Sequence, residues 1–388
     1  MTGQQQVYVS RPQAVLPPYR VARETVLADM VARHPGHPRL ASIRRIVGGA
    51  QMPAWRSYSQ PWDVVAAERT LEERNRTAFE DVAAMGTAAA RAVLEAAGVS
   101  AGRVDCVVTS HSTGDAVPGL DVHLQQELGL RQDVRRRPVT QLGCGGGAHA
   151  LGMAVEAVRA RPGSMVLVVV AESLSSIYHH GDDRIEHMIF KALWGDSGVA
   201  VLVSDRPLGP GLQVVDTWEY LVPASADRYR KRLDGAGVHF DSEKAATDSV
   251  GDMAPALRKW LAEDPSGAGR PWPLDFMVAH TGGASILTDL AAGLGIDEGL
   301  LGNSFASLDE DGNLGGASVL RVLERTYAAP PAAGESGLLI GFGPGFSVSA
   351  SRVLWHDGPT RPQAGPRRTG TPGGARCRGR ATPERRGG

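Results

Sequence analysis

Cysteine is scarce in this chain, with three among 388 residues: Cys106, Cys144 and Cys377. Odd in number and widely spaced, they form no disulfide framework and no cysteine-rich metal cluster, as expected in a reducing cytoplasm. Aromatic residues are few, at 5%, whereas glycine is abundant at 48. That balance favours a close-packed α/β enzyme over a disordered or fibrous chain. An excess of charge is also missing. A net charge of −1 supplies no general attraction to nucleic acid or to a membrane surface. No apolar run approaches the roughly 20 residues that cross a bilayer, and residues 1–9 lack the charged-then-apolar pattern of a signal peptide. The expectation is a cytoplasmic protein with ample core, long enough for two domains or one duplicated domain.

Apolar periodicity predicts a first strand at 7–9, helices over 19–31 and 39–47, and a loop over 48–62. A long helix spans 71–97, with Phe79, Val82, Met85, Ala89 and Val93 at helical spacing and Gly98 as its stop. The stretches 104–110, 165–171 and 199–203 are continuous apolar runs, as in a sheet covered on both faces. Helices follow at 121–128 and 148–160. A boundary falls near Pro207–Gly211, which divides the chain into halves 1–210 and 211–357. In the second half, helices are expected at 249–262, 284–294 and 317–328, with strands at 274–280, 337–341 and 347–354, the last two as a hairpin. Residues 104–110 followed by His111-Ser112-Thr113-Gly114 are echoed by 274–279 followed by His280-Thr281-Gly282-Gly283. Such an echo points to duplication. Residues 358–388 hold eight arginines against one glutamate amid Pro and Gly, and are expected to form a disordered tail.

Gln141-Leu142-Gly143-Cys144-Gly145-Gly146-Gly147 places a thiol at a tight turn between an extended segment (137–140) and a helix. A helix N-terminus lowers a thiol's pKa through its free N–H groups and dipole, so the position suits a nucleophile. Two further polar residues stand at glycine-rich turns, His280 and Asn313. A Cys-His-Asn set has a clear chemical use. The imidazole accepts the thiol proton, the sulfur is acylated, and the His N–H and Asn amide stabilise an oxyanion.

Read together and in order, five motifs resemble the type III polyketide synthases, the chalcone synthase-like branch of the thiolase superfamily. They are the Cys144 stretch, Ala192-Leu193-Trp194-Gly195-Asp196, Ala279-His280-Thr281-Gly282-Gly283, Gly312-Asn313-Leu314-Gly315-Gly316, and Gly341-Phe342-Gly343-Pro344-Gly345-Phe346. The match runs from about residue 7 to 355. It implies a five-layered αβαβα fold of two duplicated halves, a homodimer, and no metal or organic cofactor. Cys144 would carry the acyl group. His280 and Asn313 would promote decarboxylation of a malonyl-CoA-type extender and hold its enolate. By the same resemblance Trp194 takes the place of the gatekeeper phenylalanine, and Ser112, Val117, Leu174 and Ile177 match positions that line the cavity. The basic cluster that meets the phosphates of coenzyme A in this family is absent after Ile46-Val47-Gly48. Arg44, Arg45 and Arg56 are the candidates to replace it, unless an acyl carrier protein delivers the starter instead of acyl-CoA. Two alternatives stay open: an acyltransferase of the same fold that transfers the Cys144-bound group to an alcohol or amine, and a non-catalytic scaffold.

Overall fold

The computed structural model describes residues 5–263 and 270–358. The Arg-rich segment 359–388, with Cys377, lies outside the described residues. The first half runs β1 (Val7–Val9), β2 (Gln13–Val15), β3 (Tyr19–Ala22), α1 (Arg23–Arg33), α2 (Leu40–Val47), β4 (Trp55–Tyr58), α3 (Trp62–Val65) and α4 (Leu71–Ala97). It continues through β5 (Cys106–Ser110), α5 (Leu120–Leu128), β6 (Arg135–Val139), α6 (Gly146–Ala160), β7 (Val166–Glu172), α7 (Ile185–Leu193) and β8 (Ser197–Ser204). The second half begins with β9 (Gly211–Leu221), β10 (Tyr229–Asp234), β11 (Gly237–Ser242) and α8 (Ser249–Ala262). After them come β12 (Phe276–Ala279), α9 (Ala284–Leu294), α10 (Gly302–Asp311), α11 (Ser318–Thr326), β13 (Ser336–Gly343) and β14 (Ser347–His356).

The duplication is written in the strand pairing. In the first half β5 runs parallel to β7, which is antiparallel to β8, which is antiparallel to β1. In the second, β12 runs parallel to β13, which is antiparallel to β14, which is antiparallel to β9. The halves join edge to edge through β1 and β9. The faint echo between residues 104–114 and 274–283 is therefore real: β5 and β12 occupy equivalent places, and His111 and His280 each follow directly.

Alternation along the strands builds the layers. Val166, Val168 and Val170 of β7 pack on α6 and α11, together with Val278 and Leu339 from the other half. Leu167, Val169 and Ala171 point the opposite way, onto α4 and α5. Met277, Ala279, Leu338 and Ile340 cover α8 and α9 in turn. The order is helix, sheet, helix, sheet, helix, with α6 and α11 in the middle. Burial on both faces explains why β5, β7 and β8 read as unbroken apolar runs.

Local signals fixed the helices well. Thr70 and Glu73 form a reciprocal cap at the start of α4, Thr70 N donating to Glu73 Oε2 at 2.9 Å and Glu73 N to Thr70 Oγ1 at 3.2 Å. Gly98 ends that helix at φ 63°. Two expectations are corrected. The helix over 19–31 begins only at Arg23, because Tyr19–Ala22 is drawn into antiparallel pairing with Trp55–Tyr58. The same pairing replaces the expected loop over 48–62 by β4 and the short α3. No helix among the described residues is long and apolar enough to cross a membrane.

Candidate active site

Cys144, His280 and Asn313, far apart in sequence, line one apolar chamber of about 660 Å³ including its open mouth. The fold brings them there through equivalent turns. Cys144 lies in a 3-10 turn, Gly143–Gly145, that runs into α6, and Asn313 precedes the 3-10 turn Gly315–Ala317 that runs into α11. The two turns touch through backbone. A Cβ on Gly147 would fall 2.1 Å from the Gly316 carbonyl oxygen, so a side chain there would force apart the segments carrying Cys144 and Asn313. Gly143 has φ 51°, the left-handed region, and lies against Pro344. The glycines around Cys144 thus serve close backbone contact more than access for a bulky substrate.

Asn313 is held at both ends. Its N–H donates to Leu193 O at 3.0 Å and its carbonyl accepts from Gly195 N at 3.1 Å, clipping it beside Trp194. Its side-chain Oδ1 accepts from Gly315 N at 2.9 Å and Ser318 Oγ at 3.4 Å. That leaves Nδ2 facing the chamber, 3.5 Å from Gly282 O in the turn after His280. His280 directly follows β12, with its N–H on Ile340 O at 2.9 Å. Its Nδ1 is buried without a partner among the described residues.

Electrostatics set the resting state. Burial, then the carboxylate of Glu172, push the Cys144 thiol up to about 12, against a smaller lowering by the Asn313 hydrogen bond. Desolvation here outweighs the lowering expected from the start of α6. Burial alone draws His280 down to about 4. Both shifts favour the neutral thiol and the neutral imidazole at neutral pH. Glu172 is itself fully buried and pushed up to about 7 by burial, although Ser112 N and Oγ donate to it at 3.0 and 2.7 Å.

Ser112, Leu174 and Trp194 line the chamber as expected. Trp194 stacks on Phe190 (centroids 4.9 Å apart) and meets Phe240 edge-on at 4.7 Å. Ile177 does not reach the chamber; it is 1% exposed and packs into the core one turn beyond Leu174. Val117 is 100% exposed on the loop after β5, so it does not line the chamber of its own chain. Arg56 is fully buried, because it points inward from β4 and donates to Pro53 O at 2.9 Å; it presents no charge to solvent. Arg44 and Arg45 are exposed on α2, opposite the buried Ile43 and Val47, and are not among the residues lining the chamber.

Three features escaped the sequence reading. Glu172 looks like the end of a strand. Asp196, in the Trp194-Gly195-Asp196 motif, is a buried strut: it accepts from Ser175 N and Oγ at 2.7 and 2.6 Å and from Ser59 N at 2.8 Å. The β10–β11 hairpin brings Tyr229, Phe240 and Asp241 to the chamber and Lys231 to an adjoining cavity. Its Asp234-Gly235 turn was the signal available for it.

A thiol, an imidazole and a carboxamide on the wall of one apolar chamber, between duplicated halves, are the arrangement of a condensing enzyme of the thiolase type. Comparison with known proteins takes this further. Residues 59–207 match the N-terminal domain of chalcone and stilbene synthases, and residues 213–355 the C-terminal domain. The chain is 30% identical to phloroglucinol synthase of Pseudomonas fluorescens, over 89% of its own length and 98% of that protein. It is 29% identical to 1,3,6,8-tetrahydroxynaphthalene synthase of Streptomyces coelicolor, over 90% and 93%. Germicidin synthase of Streptomyces coelicolor superimposes with a TM-score of 0.86 at 29% identity, covering 90% of this chain and all of that one. The chain belongs to the chalcone and stilbene synthase family and is a type III polyketide synthase.

Proposed function

We propose that Cys144 carries the growing acyl chain and that His280 and Asn313 drive each extension. The sulfur attacks the starter thioester while its proton passes to His280, and the departing thiolate of the carrier takes that proton. The oxyanion meets Asn313 Nδ2–H and the imidazole N–H. An extender then loses carbon dioxide, its enolate oxygen held by the same two donors. The enolate carbon attacks the Cys144 thioester and expels the sulfur. The observation that carries this reading is the convergence of Cys144, His280 and Asn313 on one apolar chamber, with Asn313 Nδ2 3.5 Å from the carbonyl of the His280 turn. Neutral imidazole suits it, since an N–H donor is needed without a competing positive charge.

The starter is small or aliphatic and the extensions few. Support comes from the aromatic wall of Trp194, Phe190, Phe240, Phe342 and Phe346, which leaves little room and offers few polar contacts. The relatives named above for phloroglucinol and tetrahydroxynaphthalene support a cyclised, hydroxylated product. Starter and extender arrive as coenzyme A thioesters, with Arg44 and Arg45 as the cations available on α2; a carrier protein is the other route. The chain acts as a homodimer, with exposed Val117 and Leu221 as apolar contacts between copies. No metal or organic group takes part in these steps.

The test is incubation with a panel of acyl thioesters and carboxyl-labelled malonyl-CoA. Release of labelled carbon dioxide with a new carbon–carbon bond in the product is expected. Transfer of the acyl group to an alcohol or amine without that release would overturn condensation.

A further inference from the structure

Beside the chamber, three histidines converge from three segments. His179 follows the turn Leu174–Ile177, His187 lies on α7 and His239 on β11. One ring nitrogen from each lies within 4.8 Å of the others, and the ring centroids are 4.7, 4.7 and 5.6 Å apart. All three are buried, at 3%, 0% and 2% exposure. Nothing in the condensation chemistry uses them.

His187 has no hydrogen-bond partner on either ring nitrogen among the described residues. Buried polar atoms are ordinarily satisfied, and leaving them unmet is costly. His239 shows the complementary feature. Asp182 Oδ2 is 2.7 Å from its Nδ1 and Asp234 Oδ1 is 2.9 Å from its Nε2. Both ring nitrogens are therefore already met by carboxylates; an ion takes the place of one of them, and the other carboxylate stays to orient the ring, as metal-ligating histidines require. His179 places Nε2–H on Val238 O at 3.1 Å, so its lone pair is on Nδ1, which meets Gly181 N at 3.2 Å. Around the cluster, the carboxylates of Asp182, Asp234 and Asp241 pair with Arg184 and Arg232, and the buried Lys191 ammonium donates to His179 O at 2.8 Å.

We propose that His179, His187 and His239 bind one divalent transition-metal ion, zinc in the first instance, which clamps three segments of the chamber wall together. Imidazole nitrogen selects this class of ion over calcium or magnesium, which prefer oxygen. Zinc–nitrogen bonds of about 2.0–2.1 Å bring tetrahedral ligand atoms to about 3.4 Å apart, so the rings close by roughly an ångström as the ion enters. The clamp has a structural consequence. His187 lies three residues before Phe190 and seven before Trp194, His239 is next to Phe240, and His179 is five residues after Leu174; all four neighbours line the chamber. The ion would fix the wall against which the acyl chain packs, without touching the reacting atoms.

The test is a cobalt(II) titration of the metal-depleted full chain. Expected are one equivalent bound, the visible absorption of four-coordinate cobalt, displacement by zinc, and a zinc-induced rise in melting temperature of roughly 3 °C at a hundredfold excess over Kd. Cys144→Ala retains all of this, which separates the site from the nucleophile. His187→Leu, which fills the same volume without an unmet nitrogen, folds but loses the absorption and the melting shift, and His239→Asn does the same. No saturable binding below about 100 μM in the wild type, or an unchanged signal in His187→Leu, overturns the proposal.

Discussion

Two strand ends, one in each half, show how a duplicated fold is made unequal. β5 runs into His111 and β12 into His280, at equivalent positions and with similar burial, 5% and 2% exposed. Burial lowers the pKa of both. Yet His111 Nδ1 is tied to its own loop, 2.9 Å from Thr113 O, and the ring is not among the residues lining the chamber. His280 Nδ1 has no partner among the described residues, and its ring faces the chamber. Structural and reactive histidines therefore differ here not in depth but in whether the fold has already used their nitrogens. The nucleophile's half spends its histidine on architecture; the other half leaves its histidine free.

Exchange at these positions should separate the roles, and the largest effect belongs to the chamber. His280→Gln is expected to lower condensation by on the order of a thousandfold with little change in stability, while His111→Gln keeps activity within about tenfold and costs roughly 1–3 kcal/mol in denaturant unfolding. Equal losses of activity would erase the distinction. Asn313→Ala should cost about 10²–10³ in the steady-state rate, the usual scale for an oxyanion donor.

Glu172 sharpens the comparison through pH. Its folded pKa, about 7, lies above the ordinary 4.5, so the folded state holds the extra proton between those values and stability falls as pH rises through that window. Asp196, raised to about 6, adds to the fall. Glu172→Gln should remove Glu172's share, at most about 3 kcal/mol, in unfolding curves at pH 5 and 8. It should also speed alkylation of Cys144, because the charge that adds to burial in holding the thiol up is gone. Trp194→Gly should shift product length or starter range without abolishing turnover, seen in product profiles. The smallest effect is Cys106→Ala: this thiol is sealed within β5 at 1% exposure, and acyl loading should be unchanged.

Much of this was legible in the sequence because the signals are local. Continuous valine runs announced β7 and β8, Gly98 marked the end of α4, and five glycine-containing motifs marked the turns that hold Cys144, His280 and Asn313. What local pattern cannot show is partnership at a distance. Tyr19–Ala22 looks helical until Trp55–Tyr58 is placed beside it. Arg56 reads as a surface cation, although it is wholly buried. A thiol at a helix start suggests a lowered pKa, and only the burial of the chamber and the approach of Glu172, 28 residues on, reverse the sign. Leu174 and Ile177 look interchangeable in sequence, but one faces the chamber and the other the core.

The most direct measurement is intact-protein and peptide mass spectrometry after brief exposure to a short acyl-CoA. One acyl group per chain, on the peptide bearing Cys144 and absent from Cys144→Ala, is the expected result. An adduct on Cys106, or none under conditions where product forms, would contradict the claim that this sulfur, beside Asn313 and His280, is where the chemistry begins.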